Sequence, residues 1–239
     1  MSDTKVKRNP IIFLIYFIPG TVYFIFNSLF ARAITELVDG DLWVVQIYIV
    51  SFVLCGLMLF ITWFYLRIVE KLSFRQMLSE LGLDRFSWKN MLLAVLVMIP
   101  FALFYRLLWV PYFWEPGFRF LDAIPVFHIP DWHWQKIGIV SAMEYLPKTV
   151  FIPAFITVLI ANHLGEEVFF RGFLFKRTEP FFGKWTFIAA GLIFILHHTF
   201  QASRTYPAFP IGIFVTGYYA WRRDIYGCIL IHFIMNVIF

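Results

Sequence analysis

Apolar runs long enough to cross a lipid bilayer dominate this chain, and the second half sinks charged residues into them. A span needs roughly 20 apolar residues to cover about 30 Å of hydrocarbon. Runs of that kind occupy approximately 11–32, 43–68, 90–111, 150–175, 184–202, 206–221 and 225–239. Of the 239 residues, 61% are apolar and only 15% charged, whereas soluble domains carry about 25% charged residues. A soluble protein of this composition would have too little polar surface to face water. The expectation is an all-α fold, a polytopic helical bundle of about seven transmembrane spans plus one interfacial or half-inserted helix.

Nothing in the composition divides the chain, so residues 1–239 read as one integral-membrane domain whose motif-bearing core covers about 150–239. The basic N-terminus leads into an apolar run from Ile11 to Phe30. That run is too long for the apolar region of a signal peptide and lacks a small-residue cleavage site, so it reads as a retained first span. Cys55 and Cys228 both lie in apolar segments and form no CxxC pattern, consistent with small buried hydrophobes. The net charge of +5 is spread between spans and forms no patch, which argues against nucleic acid as a partner.

Cytoplasmic loops carry an excess of Lys and Arg. Lys5, Lys7 and Arg8 therefore put the N-terminus inside, as do Lys71 to Lys89 for the second connection. The 33–42 connection carries Glu36, Asp39 and Asp41 and reads as outside, as does the Trp- and Pro-rich stretch from Pro111 to Trp134, read as a loop. A single crossing within 137–176 places Lys176, Arg177 and Lys184 inside, with 137–148 as the interfacial or half-inserted helix before Pro153. Arg222 and Arg223 then fall inside as well.

Three constellations of polar residues lie within the spans. In the first, His163, Glu166, Glu167, Phe170 and Arg171 share a helix face. A Glu or Arg at the centre of a span costs about 2.5–3.5 kcal/mol on insertion scales. A neighbouring Phe or Leu returns only about 0.3–0.6 kcal/mol. These residues must therefore face the bundle interior or a wet cavity. Glu167 and Arg171, four apart, can pair as a structural unit. One arginine neutralises one carboxylate, and Glu166 is left over, able to exchange protons as a general base must. The second constellation is Phe194 with His197 and His198, adjacent histidines that point about 100° apart, so one of them can face the first. The third is His232 and Asn236, which share a face and can offer two donors to one oxygen.

Depth links the three. Measured from the basic residues at the inner boundary, Glu166 lies about 15 Å, His198 about 21 Å and His232 about 14 Å into the membrane. A carboxylate, imidazoles and an amide at comparable depth suit water activation and oxyanion stabilisation. No serine sits in a GxSxG elbow. The same Glu166, His198 and His232 could instead bind zinc, although His-Glu-x-x-His spacing is absent.

Glu166-Glu167-x-x-x-Arg171, Phe194-x-x-x-His198 and His232-x-x-x-Asn236, in that order, resemble the motifs of the CPBP family, also called the ABI or type II CAAX prenyl-protease family. Gly172 after the arginine fits the pattern, and Leu81-Gly82-Leu83 is a weaker echo. The resemblance covers about 160–239 and implies an intramembrane glutamate-type endopeptidase. It implies that Glu166 and His198 hold and deprotonate water, that His232 and Asn236 stabilise the oxyanion, and that Glu167 and Arg171 hold the site together. His197 is a further candidate beside His198. No cofactor is expected from this mechanism. Zinc or another divalent metal is the alternative, held by Glu166, His198 and His232.

The implied partners are a membrane-associated peptide or protein substrate and the lipid bilayer. The short loops read as bacterial, hence the cytoplasmic (inner) membrane with a cytoplasmic N-terminus. The aromatic and His128-bearing 112–135 stretch reads as an interfacial belt. The alternatives to a protease are a non-catalytic immunity or transport-type protein binding a peptide or ion, and a zinc-dependent membrane hydrolase.

Overall fold

The computed structural model describes residues 9–125, 143–198 and 209–238, and every regular element among them is helical. The order is α1 (Ile11–Leu37), α2 (Leu42–Val69), α3 (Phe74–Leu81), α4 (Trp88–Asp122), α5 (Lys148–Glu166, continuing through Glu167–Leu174 and Phe175–Phe182), α6 (Thr186–His197), α7 (Phe209–Arg222) and α8 (Ile225–Ile238). Local chemistry sets the ends. The Asp41 carboxylate accepts from the Trp43 and Val44 amides at 2.8 and 3.2 Å and starts α2. Ser73 and Gln76 form a reciprocal capping box at α3, which ends on Gly82 at φ 75°. Gly183, at φ 54°, turns the chain between α5 and α6.

α5 is the axis of the bundle. Every residue from Glu167 to Leu174 is buried, so this part of the helix is enclosed on all sides. One apolar cluster joins it to α1, α2, α3 and α6 through Tyr16, Leu54, Phe169, Phe173 and Phe194. A second joins α4, α7 and α8 through Met98, Tyr219, Ile231 and Met235, and meets α5 at Phe175. The outer faces of α1, α2 and α4 expose Leu14, Leu29, Phe52, Leu92, Leu96 and Leu107. Such a surface is untenable in water and is the natural lipid-facing side of a membrane bundle. The stretches Ile11–Leu37, Leu42–Val69, Trp88–Asp122 and Lys148–His197, the last divided by the Gly183 turn, are long and apolar enough to cross a bilayer. The protein is an integral membrane protein; the expected count of seven crossings goes beyond these four and rests on hydropathy.

Three sequence expectations need correction. Pro111 to Trp134 was expected to be a loop, yet α4 runs on to Asp122. Tyr105–Trp114 is wound in wide turns bonded five residues back, and Pro111 lies among them. Proline clashes with the carbonyl four residues back in a regular helix, and a wider turn relieves that clash. The rest of the expected loop, with His128 and Trp134, lies outside the described residues. Of the expected 137–148 helix, 137–142 also lie outside them; a break at Leu146 and Pro147 precedes α5. Pro153 sits inside α5. The connection from Lys71 to Lys89 is not plain loop either, since it contains α3.

α6 and α7 cross at two glycines. A Cβ at Gly191 would lie 2.9 Å from the Ile213 Cα, and one at Gly212 would lie 2.9 Å from the Gly191 carbonyl oxygen. Small residues of this kind let membrane helices approach closely. Replacing Gly212 by Val should lower stability by about 1–3 kcal/mol through overpacking. Gly56, where a Cβ meets nothing within 4 Å, provides the contrast: Gly56→Ala should hold or raise stability by up to about 1 kcal/mol. Melting of the two purified variants in detergent checks the pair.

Candidate active site

Glu166 is the last residue of the regular part of α5 and Glu167 the first of its wide-turn part. Neighbouring side chains diverge by about 100° around a helix, and these two carboxylates are accordingly directed to different helices. Glu166 faces His198 at the end of α6, with 3.8 Å between Nε2 and Oε1. Glu167 faces α8, where His232 Nδ1 lies 2.8 Å from its Oε1. Both carboxylates are buried.

Glu167 is the better compensated of the two. Arg171 donates to its Oε1 at 3.0 Å from one turn further along α5. The guanidinium also donates to Thr216 on α7 at 3.3 Å and lies 4.3 Å over the Phe194 ring of α6. Thr216 in turn donates to the Gly212 carbonyl at 2.6 Å. Four helices therefore converge on one ion pair. Among the described residues no Lys or Arg pairs with Glu166, and its Oε2 has no hydrogen-bond partner.

The histidines share a pattern. His198 donates through Nδ1 to the Phe194 carbonyl at 2.8 Å, and His197 to the Tyr16 carbonyl at 2.6 Å. A carbonyl only accepts, so in both rings Nδ1 carries the proton. In His198 this leaves Nε2 facing Glu166. His197 is drawn instead toward α1, packed on Gly20, and makes no hydrogen bond to Glu166. His163 donates through Nδ1 to the Leu159 carbonyl, and its Nε2 accepts from Asn236 Nδ2 at 3.2 Å. Its ring packs against that of His232, with centroids 4.5 Å apart. The expected residues thus form two linked groups, Glu166 with His198, and Glu167 with Arg171 and His232, with Asn236 reaching the second through His163.

Two members of this assembly are not among the site residues expected from the sequence. Thr216 is one polar residue in an apolar helix, and nothing in its spacing marks it. His163 lies on the same face of α5 as Glu166 and Glu167, which is a usable signal, but it falls outside the three motifs. Beside the cluster lies an apolar cavity of about 390 Å³ between α4, α5 and α8, lined by Met91, Leu159, Ile160, His163, Leu230 and Phe233 among others. No group of three His, Cys, Asp or Glu residues among the described residues is arranged to hold a metal ion. His232 in particular directs Nδ1 to Glu167, not to Glu166.

The fold and site define a helical membrane bundle with buried carboxylates and imidazoles beside the Asn236 amide. Residues 148–238 match the model of the type II CAAX prenyl endopeptidase Rce1-like family, a peptidase family and the one whose motifs the sequence resembles. The matched segment runs from the start of α5 into the last turn of α8 and contains the whole centre. No curated protein and no solved structure matches the chain.

Removing one partner of a buried ion pair strands the other and costs about 3–5 kcal/mol. Arg171→Met should therefore lower the melting temperature sharply, with Arg171→Lys recovering little because one ammonium cannot reach both Glu167 and Thr216. The double variant Glu167→Gln/Arg171→Met should melt above the Arg171→Met protein. Thermal unfolding in detergent reads all three.

Proposed function

We propose that the protein is an intramembrane endopeptidase that hydrolyses a peptide bond of a membrane-associated protein or peptide through an activated water. The observation that carries the proposal is the 3.8 Å separation of Glu166 Oε1 and His198 Nε2 in a buried site. That distance is too long for a direct hydrogen bond and short enough for one water to contact both. A carboxylate and a basic ring nitrogen are the acceptors that a nucleophilic water requires.

In the reaction, Glu166 takes a proton from the water as its oxygen attacks the scissile carbonyl carbon. His198 holds the water from the other side. The carbonyl oxygen becomes an oxyanion, which the Asn236 amide and His232 receive. His232 already donates through Nδ1 to Glu167, so it can donate to the oxyanion only as an imidazolium. Glu167 accepts from that ring, and Arg171 holds Glu167 in place. The proton on Glu166 then passes to the leaving amine, the C–N bond breaks, and a carboxylic acid and an amine are released. No side-chain nucleophile is needed. The Cys228 thiol faces the Val215 carbonyl, consistent with a packing role.

The match to a peptidase family supports hydrolysis over passive binding. The substrate reaches the site from within or beside the bilayer, and we assign the protein to the cytoplasmic (inner) membrane of a bacterium with its N-terminus inside. We assign no step to a metal. Elemental analysis of the purified protein tests that choice, and stoichiometric zinc would favour the metal-dependent hydrolase instead.

Glu166→Ala and His198→Ala should each abolish cleavage while the protein stays folded. Comparative peptidomics of cells carrying wild-type or Glu166→Ala protein should reveal a fragment that disappears in the variant. Full biological activity of the Glu166→Ala protein would sink the protease reading in favour of a non-catalytic immunity or transport role.

A further inference from the structure

We propose that His163 is a positioning residue that holds the Asn236 amide in register for the oxyanion; this rests on the endopeptidase reading above. The bond that His163 makes to the Leu159 carbonyl fixes the proton on Nδ1, so Nε2 presents a lone pair. An acceptor at that point selects the NH2 end of Asn236, which donates to it at 3.2 Å. One N–H of the amide is thereby anchored, and the other acquires a definite direction.

The anchor itself is rigid. His163 is buried, and its ring is wedged between those of His232 at 4.5 Å and Phe233 at 5.6 Å. On its other side lies the apolar cavity. The other polar group lining that cavity, Tyr226, donates its hydroxyl to the Leu83 carbonyl at 2.7 Å and so does not compete for Nε2. Asn236, by contrast, is exposed and near the end of α8. Its side chain would sample several rotamers without a partner, and a misdirected donor is a poor oxyanion ligand. His163 thus ties α8 to the helix that carries Glu166, so that base and oxyanion donor keep a fixed separation.

The test uses full-length protein in detergent with 15N-labelled asparagine side chains, the Asn236 signal being assigned by its loss in Asn236→Ala. His163→Phe keeps the ring and removes the acceptor. His163→Gln places an amide oxygen near the position of Nε2. The Asn236 amide signal should shift and broaden in His163→Phe and stay near its wild-type position in His163→Gln. Cleavage is followed with the Glu166-dependent peptide as substrate. His163→Phe should lose about ten- to a hundred-fold in kcat with KM unchanged, and His163→Gln should recover most of that loss. Adding His163→Phe to Asn236→Ala should cost little more than Asn236→Ala alone.

A purely structural His163 would instead lower stability in both variants and add its effect to that of Asn236→Ala. An unchanged amide signal in folded His163→Phe overturns the proposal, as does additive loss in the double variant. If His163→Phe does not fold, His163→Gln decides: a folded Gln variant as impaired as Asn236→Ala overturns it. Failure of the underlying reading looks different, because Glu166→Ala would then cleave like wild type while the amide signal still followed His163.

Discussion

A carboxylate buried in an apolar bundle is costly unless a cation meets it, and the Glu167–Arg171 pair is the contact on which the rest of the site depends. Burial of either charge alone would cost several kcal/mol (roughly, even after relaxation). The pair lies within one helix, so its geometry is set by α5, and its surplus hydrogen-bonding capacity reaches outward. Arg171 reaches Thr216 of α7 and the Phe194 ring of α6, while Glu167 reaches His232 of α8. Three helices of the candidate site are thereby oriented against a fourth by charge-assisted contacts, which are stronger and more directional than apolar packing.

That arrangement separates two adjacent carboxylates into different roles. Each carboxylate has one oxygen without a hydrogen-bond partner, but Glu167 accepts from Arg171 and His232, whereas Glu166 faces His198 at 3.8 Å. In the proposed mechanism, structural and chemical duties fall on consecutive residues because consecutive side chains leave a helix in different directions. The four histidines of the site divide in the same way. Each uses Nδ1 on an oxygen, and what the opposite nitrogen meets determines its part: Asn236 for His163, Glu166 for His198. His197 turns to α1.

Much of this was legible in the sequence. The cost of placing Glu166, Glu167 and Arg171 in lipid demanded a buried cluster, the i,i+4 spacing of Glu167 and Arg171 anticipated their contact, and the estimated depths of His198 and His232 anticipated their meeting α5. What escaped has physical reasons. The extension of α4 through Pro111 depends on wide turns that no propensity signals. α3 was announced by Ser73 and Gln76, a capping-box pattern hidden within a connection read for charge alone. Thr216 matters only because α6 and α7 approach closely enough at Gly191 and Gly212 for it to meet Arg171. His163 lay on the right face of α5, but its partner is on another helix, and spacing along one chain segment cannot reveal that contact.

We propose that Glu166 is held for chemistry at the expense of stability, while Glu167 is held for structure. Replacing Glu166 by Gln removes a buried charge without a fixed cation and leaves the Glu167–Arg171 pair intact. The thermal melting of the Glu166→Gln protein, measured alongside its peptide hydrolysis, tests this most directly. The account predicts a melting temperature at or above that of the wild type with hydrolysis lost. A melting temperature several degrees lower, with hydrolysis retained, would contradict it.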